Sequence, residues 1–287
     1  MIHRISYAVS AGLQAELEAH QLCIDDGALG RFLEKYPSRE DLVAGFLAEP
    51  AGQQYADAIR SLPAGQRILD IGVGFGNSSL FLAAQGYAVA AVEPSEGMCE
   101  IIEKRTQKYD LELDIYSVTG ESLDRLPVAD FDACAFNASF HHCDDPMAAL
   151  RNCHRLLRPG GQMFLLNEPV LQLYKSKAKF YRQLRENPEE MGHYGGNEHI
   201  YYHHEYLRML KDAGFRNVRC PMSPRYSKPN IYLNILKLQH ANPRKIALRR
   251  MYYGGVHFLT KLGPLGWPTL AAMRRLSLLQ SYYLAEK

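Results

Sequence analysis

The sequence lacks long hydrophobic runs and has almost no excess of charge. It contains no stretch of about 18 or more apolar residues, so we expect no membrane-spanning helix. Lysine and arginine number 33 against 31 for aspartate and glutamate, which gives no whole-chain reason to expect a nucleic-acid partner. The apolar run within residues 1–20 is too short, and charge follows too early, for a secretory signal. We therefore predict a cytoplasmic protein that does not bind nucleic acid.

Paired cysteines and familiar metal-binding motifs are also missing. The six cysteines include no CxxC pair, and most lie in apolar stretches where cysteine behaves as a small hydrophobic residue. This argues against a zinc site and for a reducing compartment. His199, His203 and His204 lie close together, but no HExxH pattern accompanies them. We predict that the protein binds no metal.

The chain does contain short apolar runs that alternate with helical patterns. Seven of these runs fit strands, and the last two, at 215–220 and 231–238, are close enough to form an antiparallel hairpin. The first five are nearly continuous in Val, Ile, Leu and Ala, as in strands buried on both faces of a parallel sheet. They span 67–72, 88–93, 113–118, 131–137 and 162–168. We predict a doubly wound α/β fold with seven strands, the last of them antiparallel.

Additional segments surround this predicted domain, which spans residues 61–238. Residues 1–60 show helical patterns with apolar faces and are predicted to form an N-terminal cap. Residues 169–202 are long for a connection in a compact domain, so we predict a lid. Residues 239–287 contain eight lysines or arginines, one glutamate and the single tryptophan. We predict a helical extension that contacts an anionic membrane, a lipid-linked substrate, its own domain or a second subunit.

Ligands of doubly wound sheets bind beyond the carboxyl ends of the strands. Asp70 lies near the end of the first strand, and Gly72, Gly74 and Gly76 form the turn that ends it. This GxGxG spacing differs from the GxGxxG of the dinucleotide fingerprint. Such glycines let the backbone approach a ligand, and the helix that follows presents amides suited to a carboxylate. Glu93 ends the second strand and can accept bonds from ribose hydroxyls, as acids also do in dinucleotide enzymes.

Five motifs in register make residues 64–238 resemble the class I S-adenosylmethionine-dependent methyltransferases of the small-molecule type. They are LDIGVGFG, an acidic residue at the end of the second strand, FDACAFNASFHHCDDP, LLRPGG and LKDAGFRNV. The resemblance implies a Rossmann-like fold and S-adenosylmethionine as the cofactor. Glu121 stands where the family more usually has aspartate. Met98 is suited to flank the adenine ring, but a methionine at this position is equally typical of simple helix packing. The implied cofactor-binding residues are Asp70, Gly72, Gly74, Gly76, Glu93, Pro94, Met98, Gly120, Glu121, Ser122 and Asn137.

Methyl transfer from a sulfonium requires a nucleophile held in line with the methyl group. When the nucleophile is a hydroxyl, a base must also take its proton. His141 and His142 follow the fourth strand, and Glu168 ends the fifth. We predict that one of the histidines is the general base with help from Glu168, and His142 is marginally favoured. The alternative, that the histidines only shape the pocket, stays open.

The predicted acceptor is a hydroxyl of a small molecule or glycan. Tyrosines of the lid offer flat, amphipathic contacts for such an acceptor. Candidate substrate contacts are Tyr7, Tyr194, Tyr201 and His199. Three alternatives stay open: an N-methyltransferase acting by proximity, a nicotinamide-dependent oxidoreductase and a non-catalytic cofactor-binding subunit. The GxGxG turn weighs against the oxidoreductase, and the histidines with the long lid weigh against the non-catalytic subunit. A homodimer is also left open.

Overall fold

A computed structural model describes residues 1–187, 197–222, 242–276, 278–279 and 282–287. Within these ranges an eight-stranded sheet has the order β1-β4-β3-β2-β5-β6-β10-β9, and β7 pairs with β8 in a separate ribbon. The strands are β1 (Ile2–Arg4), β2 (Arg67–Ile71), β3 (Ala88–Val92), β4 (Asp114–Ser117), β5 (Phe131–Asn137), β6 (Leu157–Leu166), β7 (Val170–Leu171), β8 (Tyr201–Tyr202), β9 (Arg216–Arg219) and β10 (Tyr283–Glu286). The predicted α/β fold with a mostly parallel sheet is confirmed.

Helices pack on both faces of the sheet. They are α1 (Ala11–Asp25), α2 (Ala28–Lys35), α3 (Arg39–Ala48), α4 (Pro50–Ile59), α5 (Asn77–Ala84), α6 (Glu96–Lys108), α7 (Pro146–Leu156), α8 (Lys177–Glu186), α9 (His203–Asp212), α10 (Pro243–Lys261) and α11 (Trp267–Arg275). Successive residues of β2 point to opposite faces, so Ile68 packs with α4 and α5 while Leu69 packs with α7 and α9. Helix α7 begins at Pro146 because Asp145 caps it, with the Asp145 carboxylate accepting from the Ala148 N–H. None of the described helices is both long and apolar enough to cross a membrane.

The sheet differs from the seven-stranded prediction at one edge. Ile2–Arg4 forms a parallel edge strand beside β4, with Ile2 opposite Ile115, whereas the sequence predicted only helices in residues 1–60. A strand of three residues is too short to show the alternation from which a strand is predicted. Helices α1 to α4 follow it and occupy most of the predicted cap.

The antiparallel strand comes from an unexpected part of the chain. The predicted strand at 215–220 is β9, while the predicted strand at 231–238 lies outside the described residues. β10 runs antiparallel between β6 and β9, with Tyr283 opposite Leu165 and Leu284 opposite Arg219. The prediction had placed residues 283–286 in an extension, since a four-residue run carries little apolar signal. Of the predicted lid, β7, α8 and β8 are described and residues 188–196 are not.

Candidate active site

A cavity of about 430 Å³ lies at the carboxyl ends of β2, β3, β4 and β5. Its wall includes nine residues predicted from the sequence, namely Gly72, Gly74, Glu93, Pro94, Met98, Gly120, Glu121, Ser122 and His142. The start of α1 and the residues before it close another side, through Ala8, Val9, Ser10, Leu13, Glu16 and His20. The strand ends and the N-terminal segment therefore enclose one space, as expected for a ligand site in a doubly wound sheet.

The glycines of the turn after β2 have different roles. Gly74 has a φ of +53°, and a β-carbon there would meet no atom within 4 Å. A β-carbon on Gly72 would instead lie 2.5 Å from the β-carbon of Ser139, so Gly72 lets the turn after β5 pack closely. Because Gly74 faces free space in the cavity wall, it is the glycine at which a ligand could approach bare backbone.

Asp70 holds the base of this turn but is not part of the cavity wall. Its buried carboxylate accepts hydrogen bonds from the hydroxyls of Tyr55 at 2.9 Å and of Ser78 and Ser79 at 2.7 Å. Burial raises the pKa of Asp70, and these three hydrogen bonds offset part of that effect. Asp70 therefore ties the end of β2 to α4 and to the first turn of α5.

Glu93 presents a buried carboxylate to the cavity. Its Oε2 accepts from the N–H of Gly74 at 2.8 Å, and its Oε1 accepts from the N–H of Ser95 at 3.1 Å. Burial raises the pKa of Glu93 to about 7. The remaining lone pairs of this carboxylate can accept hydrogen bonds from the hydroxyls of a ribose. The buried Met98 lies in the same wall and can pack against the base of a nucleoside.

Glu168 organises the short 3₁₀ turn Phe140–His142 that follows β5. Its carboxylate accepts from the N–H groups of Ser139 and Phe140 at 3.1 Å and of His141 at 3.2 Å. It also lies 2.8 Å from the Nδ1 of His141. The sequence left open which histidine Glu168 contacts, and the structure joins it to His141.

His141 is enclosed by carboxylates and is absent from the cavity wall. Its Nε2 lies 3.3 Å from an oxygen of Glu198, opposite the contact with Glu168. Burial lowers the pKa of His141, but Glu168 and Glu198 outweigh that effect, so the pKa is raised. Ligand-type atoms of His141, His142 and Glu198 all lie within 4.8 Å of one another, and this residue set is one that divalent transition metals bind. The absence of a metal stays a prediction.

His142 and Glu16 meet at the cavity wall. The Nδ1 of His142 lies 3.5 Å from Oε1 of Glu16. The side-chain amide of Asn197 donates both to Oε2 of Glu16 at 3.1 Å and to the main-chain oxygen of His142 at 3.0 Å. Burial, followed by the charge on His141, lowers the pKa of His142 to about 3, and burial raises that of Glu16 to about 7. A neutral imidazole therefore lies beside a carboxyl group that titrates near neutral pH.

Sequence reasoning missed Glu16, Asn197 and Glu198. One signal was available: Glu16 and His20 lie four residues apart and share the buried face of α1 with Leu13. Polar residues on an apolar helix face indicate a buried polar site. No comparable pattern in the sequence indicates the contacts of Asn197 and Glu198, because these contacts join segments far apart in the chain.

Two other predicted cofactor residues lie near the turn but not in the main wall. Asn137 lines a second cavity of about 240 Å³, and its Oδ1 accepts from the side-chain amide of Asn167 at 2.6 Å. Gly76 packs against α6, since a β-carbon there would lie 2.8 Å from Ile102. Their predicted contacts with a cofactor stay predictions.

The candidate substrate residues are dispersed. The Tyr7 hydroxyl donates to the main-chain oxygen of Pro94 at 2.6 Å, which places Tyr7 behind the cavity wall. Tyr201 packs against the ring of Tyr206 in the core. The N–H of His199 donates to the main-chain oxygen of His141 at 2.9 Å. Tyr194 lies outside the described residues.

Comparison with known sequences identifies the type of domain. Residues 69–165 match the model of a family described as a methyltransferase domain. The ubiquinone biosynthesis O-methyltransferase of Pseudomonas aeruginosa (strain LESB58) is 31% identical over 102 residues, 36% of this chain and 44% of that protein. The enzyme of the same name from Xanthomonas axonopodis pv. citri (strain 306) is 32% identical over 116 residues, 40% of this chain and 48% of that protein. The match therefore spans less than half the length of these curated relatives.

Solved structures share the fold at low sequence identity. Phosphoethanolamine N-methyltransferase 2 of Haemonchus contortus in complex with S-adenosyl-L-methionine has a TM-score of 0.54 and 18% identity, over 82% of this chain and 52% of that one. A protein from Galdieria sulphuraria described as a sarcosine dimethylglycine methyltransferase has a TM-score of 0.51 and 16% identity, over 82% of this chain and 84% of that one. The [4+2]-cyclase SpnF has a TM-score of 0.51 and 20% identity, over 82% of this chain and 80% of that one. Because a cyclase shares the fold, the fold alone does not determine the reaction. Residues 69–165 are therefore a methyltransferase domain, and the cofactor of this domain is S-adenosylmethionine.

Proposed function

We propose that this protein methylates a hydroxyl group of a small molecule or glycan and that His142 takes the hydroxyl proton. The observation that carries the proposal is the composition of one cavity wall, in which His142 and Glu16 lie together with Gly74 and Glu93. A proton acceptor and the cofactor-binding turn thus border the same space, as in-line transfer to a hydroxyl requires.

The cofactor half of the cavity matches the chemical groups of S-adenosylmethionine, which supplies an electrophilic methyl group on a sulfonium. Glu93 would accept hydrogen bonds from the two ribose hydroxyls, and Met98 would pack against the adenine ring. The N-terminus of α5 would face the carboxylate of the methionine part. Gly74 would leave room for these groups because no side chain projects from it.

Glu16 and His142 would act as one proton-accepting unit. His142 is neutral at physiological pH, but a pKa of about 3 makes its ring a weak base by itself, so proton transfer to it would depend on the neighbouring carboxylate. The carboxylate of Glu16, 3.5 Å away, would stabilise the imidazolium that forms. Since the pKa of Glu16 is about 7, we expect kcat/KM to rise as the pH passes through that value. Glu168 would act as a positioning residue, because it holds the turn that carries both histidines.

The names of the curated relatives support a hydroxyl as the acceptor. Both are named O-methyltransferases of ubiquinone biosynthesis, so hydroxylated aromatic rings are the first acceptors to test. The balanced charge supports the expectation of no nucleic-acid partner, and six free cysteines support a reducing, cytoplasmic location. For residues 240–287 the sequence left membrane contact, a lipid-linked substrate and a homodimer open.

The experiment compares His142→Gln with the parent. Phenols, glycosides and amines are screened with labelled S-adenosylmethionine, and kinetics follow on the acceptor found. We expect His142→Gln to lower kcat by about 10² to 10⁴-fold while the Kd for S-adenosylmethionine stays within about twofold. His204→Gln, an exposed histidine on α9, is the matched control and should behave as the parent.

Three outcomes would contradict the proposal. If His142→Gln keeps the parental kcat and pH profile on a hydroxyl acceptor, the histidine does not take the proton. If only amines are methylated, the reaction is N-methylation by proximity, because a neutral amine needs no base. Stabilisation by NAD equal to that by S-adenosylmethionine would favour the oxidoreductase alternative.

A further inference from the structure

Helix α10 has two apolar faces, and only one of them is buried. Tyr253 and Val256 face inward and form a cluster with Leu270 and Leu279. On the opposite side Leu248, Met251 and Phe258 follow one another at intervals of three and seven residues, which places them on one face of the helix, and the exposed Leu262 and Leu265 follow its C-terminal end. We call these five residues the outer stripe. Their side chains are between 38% and 82% exposed.

Exposed apolar residues are concentrated around this stripe. Of the 13 large hydrophobic residues exposed in the described part of the chain, eight lie between residues 242 and 276. The neighbouring Trp267, at the start of α11, is 63% exposed. Single exposed hydrophobic residues are ordinary, but a continuous group on one surface indicates a binding partner.

The charge around the outer stripe has one sign. Residues 242–276 contain seven lysines or arginines and no aspartate or glutamate. The basic residues are Arg244, Lys245, Arg249, Arg250, Lys261, Arg274 and Arg275, and all but Arg274 are exposed. Basic residues, an exposed apolar face and a neighbouring exposed tryptophan together make up the composition of segments that lie in the surface of an anionic bilayer.

We propose that the outer stripe docks the protein on an anionic lipid bilayer, with α10 lying in the plane of the interface. The apolar side chains enter the boundary between headgroups and acyl chains, and the basic residues contact lipid phosphates. A second copy of this chain is a poorer occupant, because a two-fold interface through the stripe would bring the same basic residues face to face. The inference does not depend on the proposed acceptor or base.

Binding of the full chain to vesicles tests the proposal. Flotation is measured with vesicles of phosphatidylcholine alone and of phosphatidylcholine mixed with phosphatidylglycerol. We expect binding to the anionic vesicles only, weakened by added salt. The double variant Phe258→Ser/Leu265→Ser should bind the anionic vesicles at least about tenfold more weakly than the parent, since it removes two large apolar side chains from the contact. Leu22→Ser, at a residue of similar exposure on α1, should bind like the parent.

The double variant also distinguishes membrane docking from unfolding and from dimer formation. Its Tm should equal that of the parent, because both residues are exposed in the folded protein. Undiminished binding by the double variant, or equal binding to neutral and anionic vesicles, would overturn the proposal. A parental dimer that the double variant converts to a monomer would overturn it as well, because a second copy would then cover the stripe.

Discussion

Glu16 should destabilise the folded protein at alkaline pH, and Glu16→Gln should remove that effect. Burial raises the pKa of Glu16 in the folded state to about 7 from its ordinary value of 4.5. The folded state therefore binds this proton more tightly than the unfolded state does. The resulting stability is fully present below about pH 4.5 and is lost as the pH rises to about 7.

The size of the effect follows from the two pKa values. A difference of about 2.5 pH units corresponds to about 3 kcal/mol of lost stability once Glu16 is fully ionised. Glutamine has nearly the same shape and can still accept from the amide of Asn197, but it does not ionise. The stability advantage of Glu16→Gln over the parent should therefore grow by about 2 kcal/mol between about pH 5.5 and pH 8.5.

Urea denaturation of parent and variant at these two pH values measures this difference. Glu18→Gln is the control, since Glu18 is exposed on the same helix and its replacement should give the same small change at both pH values. An advantage of Glu16→Gln that does not change with pH, or a loss of stability at the higher pH, would refute the reasoning. Because Glu16 lines the cavity, we also expect the stabilised variant to be less active.

Two further predictions concern the cavity. Gly74→Leu should raise the Kd for S-adenosylmethionine by about tenfold or more in calorimetry, because its side chain would fill the open space of the wall. Gly65→Leu has the same left-handed backbone and open surroundings at the other end of β2, so its Kd should be unchanged; equal effects of both variants would mean that strain, not blockage, is responsible. Zinc ions should inhibit methyl transfer, because metal bound to His141, His142 and Glu198 would tie up the imidazole of the proposed base. Activity that is lost with EDTA and restored by zinc would contradict both the histidine base and the absence of a metal.

The central fold and the position of the cavity could be predicted because their signals are local. The run at 67–72 is apolar at Ile68, Leu69 and Ile71 because β2 is buried on both faces, and the structure places β2 at Arg67–Ile71. The rule that ligands bind beyond the strand ends then directs attention to Gly74 and Glu93, which do line the cavity. Neither inference needs knowledge of distant contacts.

The pairing of acids with histidines could not be predicted for the opposite reason. His141 and His142 are adjacent in sequence, yet one contacts Glu168 from β6's end and the other contacts Glu16 from α1. Which ring faces which carboxylate depends on the 3₁₀ turn and on how the N-terminal helix packs, and no local pattern records either. The placement of β10 is a similar case, because four residues carry no information about a strand partner more than a hundred residues away.

The position of β10 also sets an order on the folding of the chain during synthesis. β9 reaches the rest of the sheet through β10, which lies between it and β6. After residue 166, the end of β6, synthesis must proceed to residue 283 before this strand exists. At typical elongation rates this takes on the order of ten seconds. During that time the edge of β6 that will pair with β10 has no strand beside it, and unpaired strand edges promote pairing with other chains. Newly made protein should therefore depend more on chaperones than its mature sheet suggests.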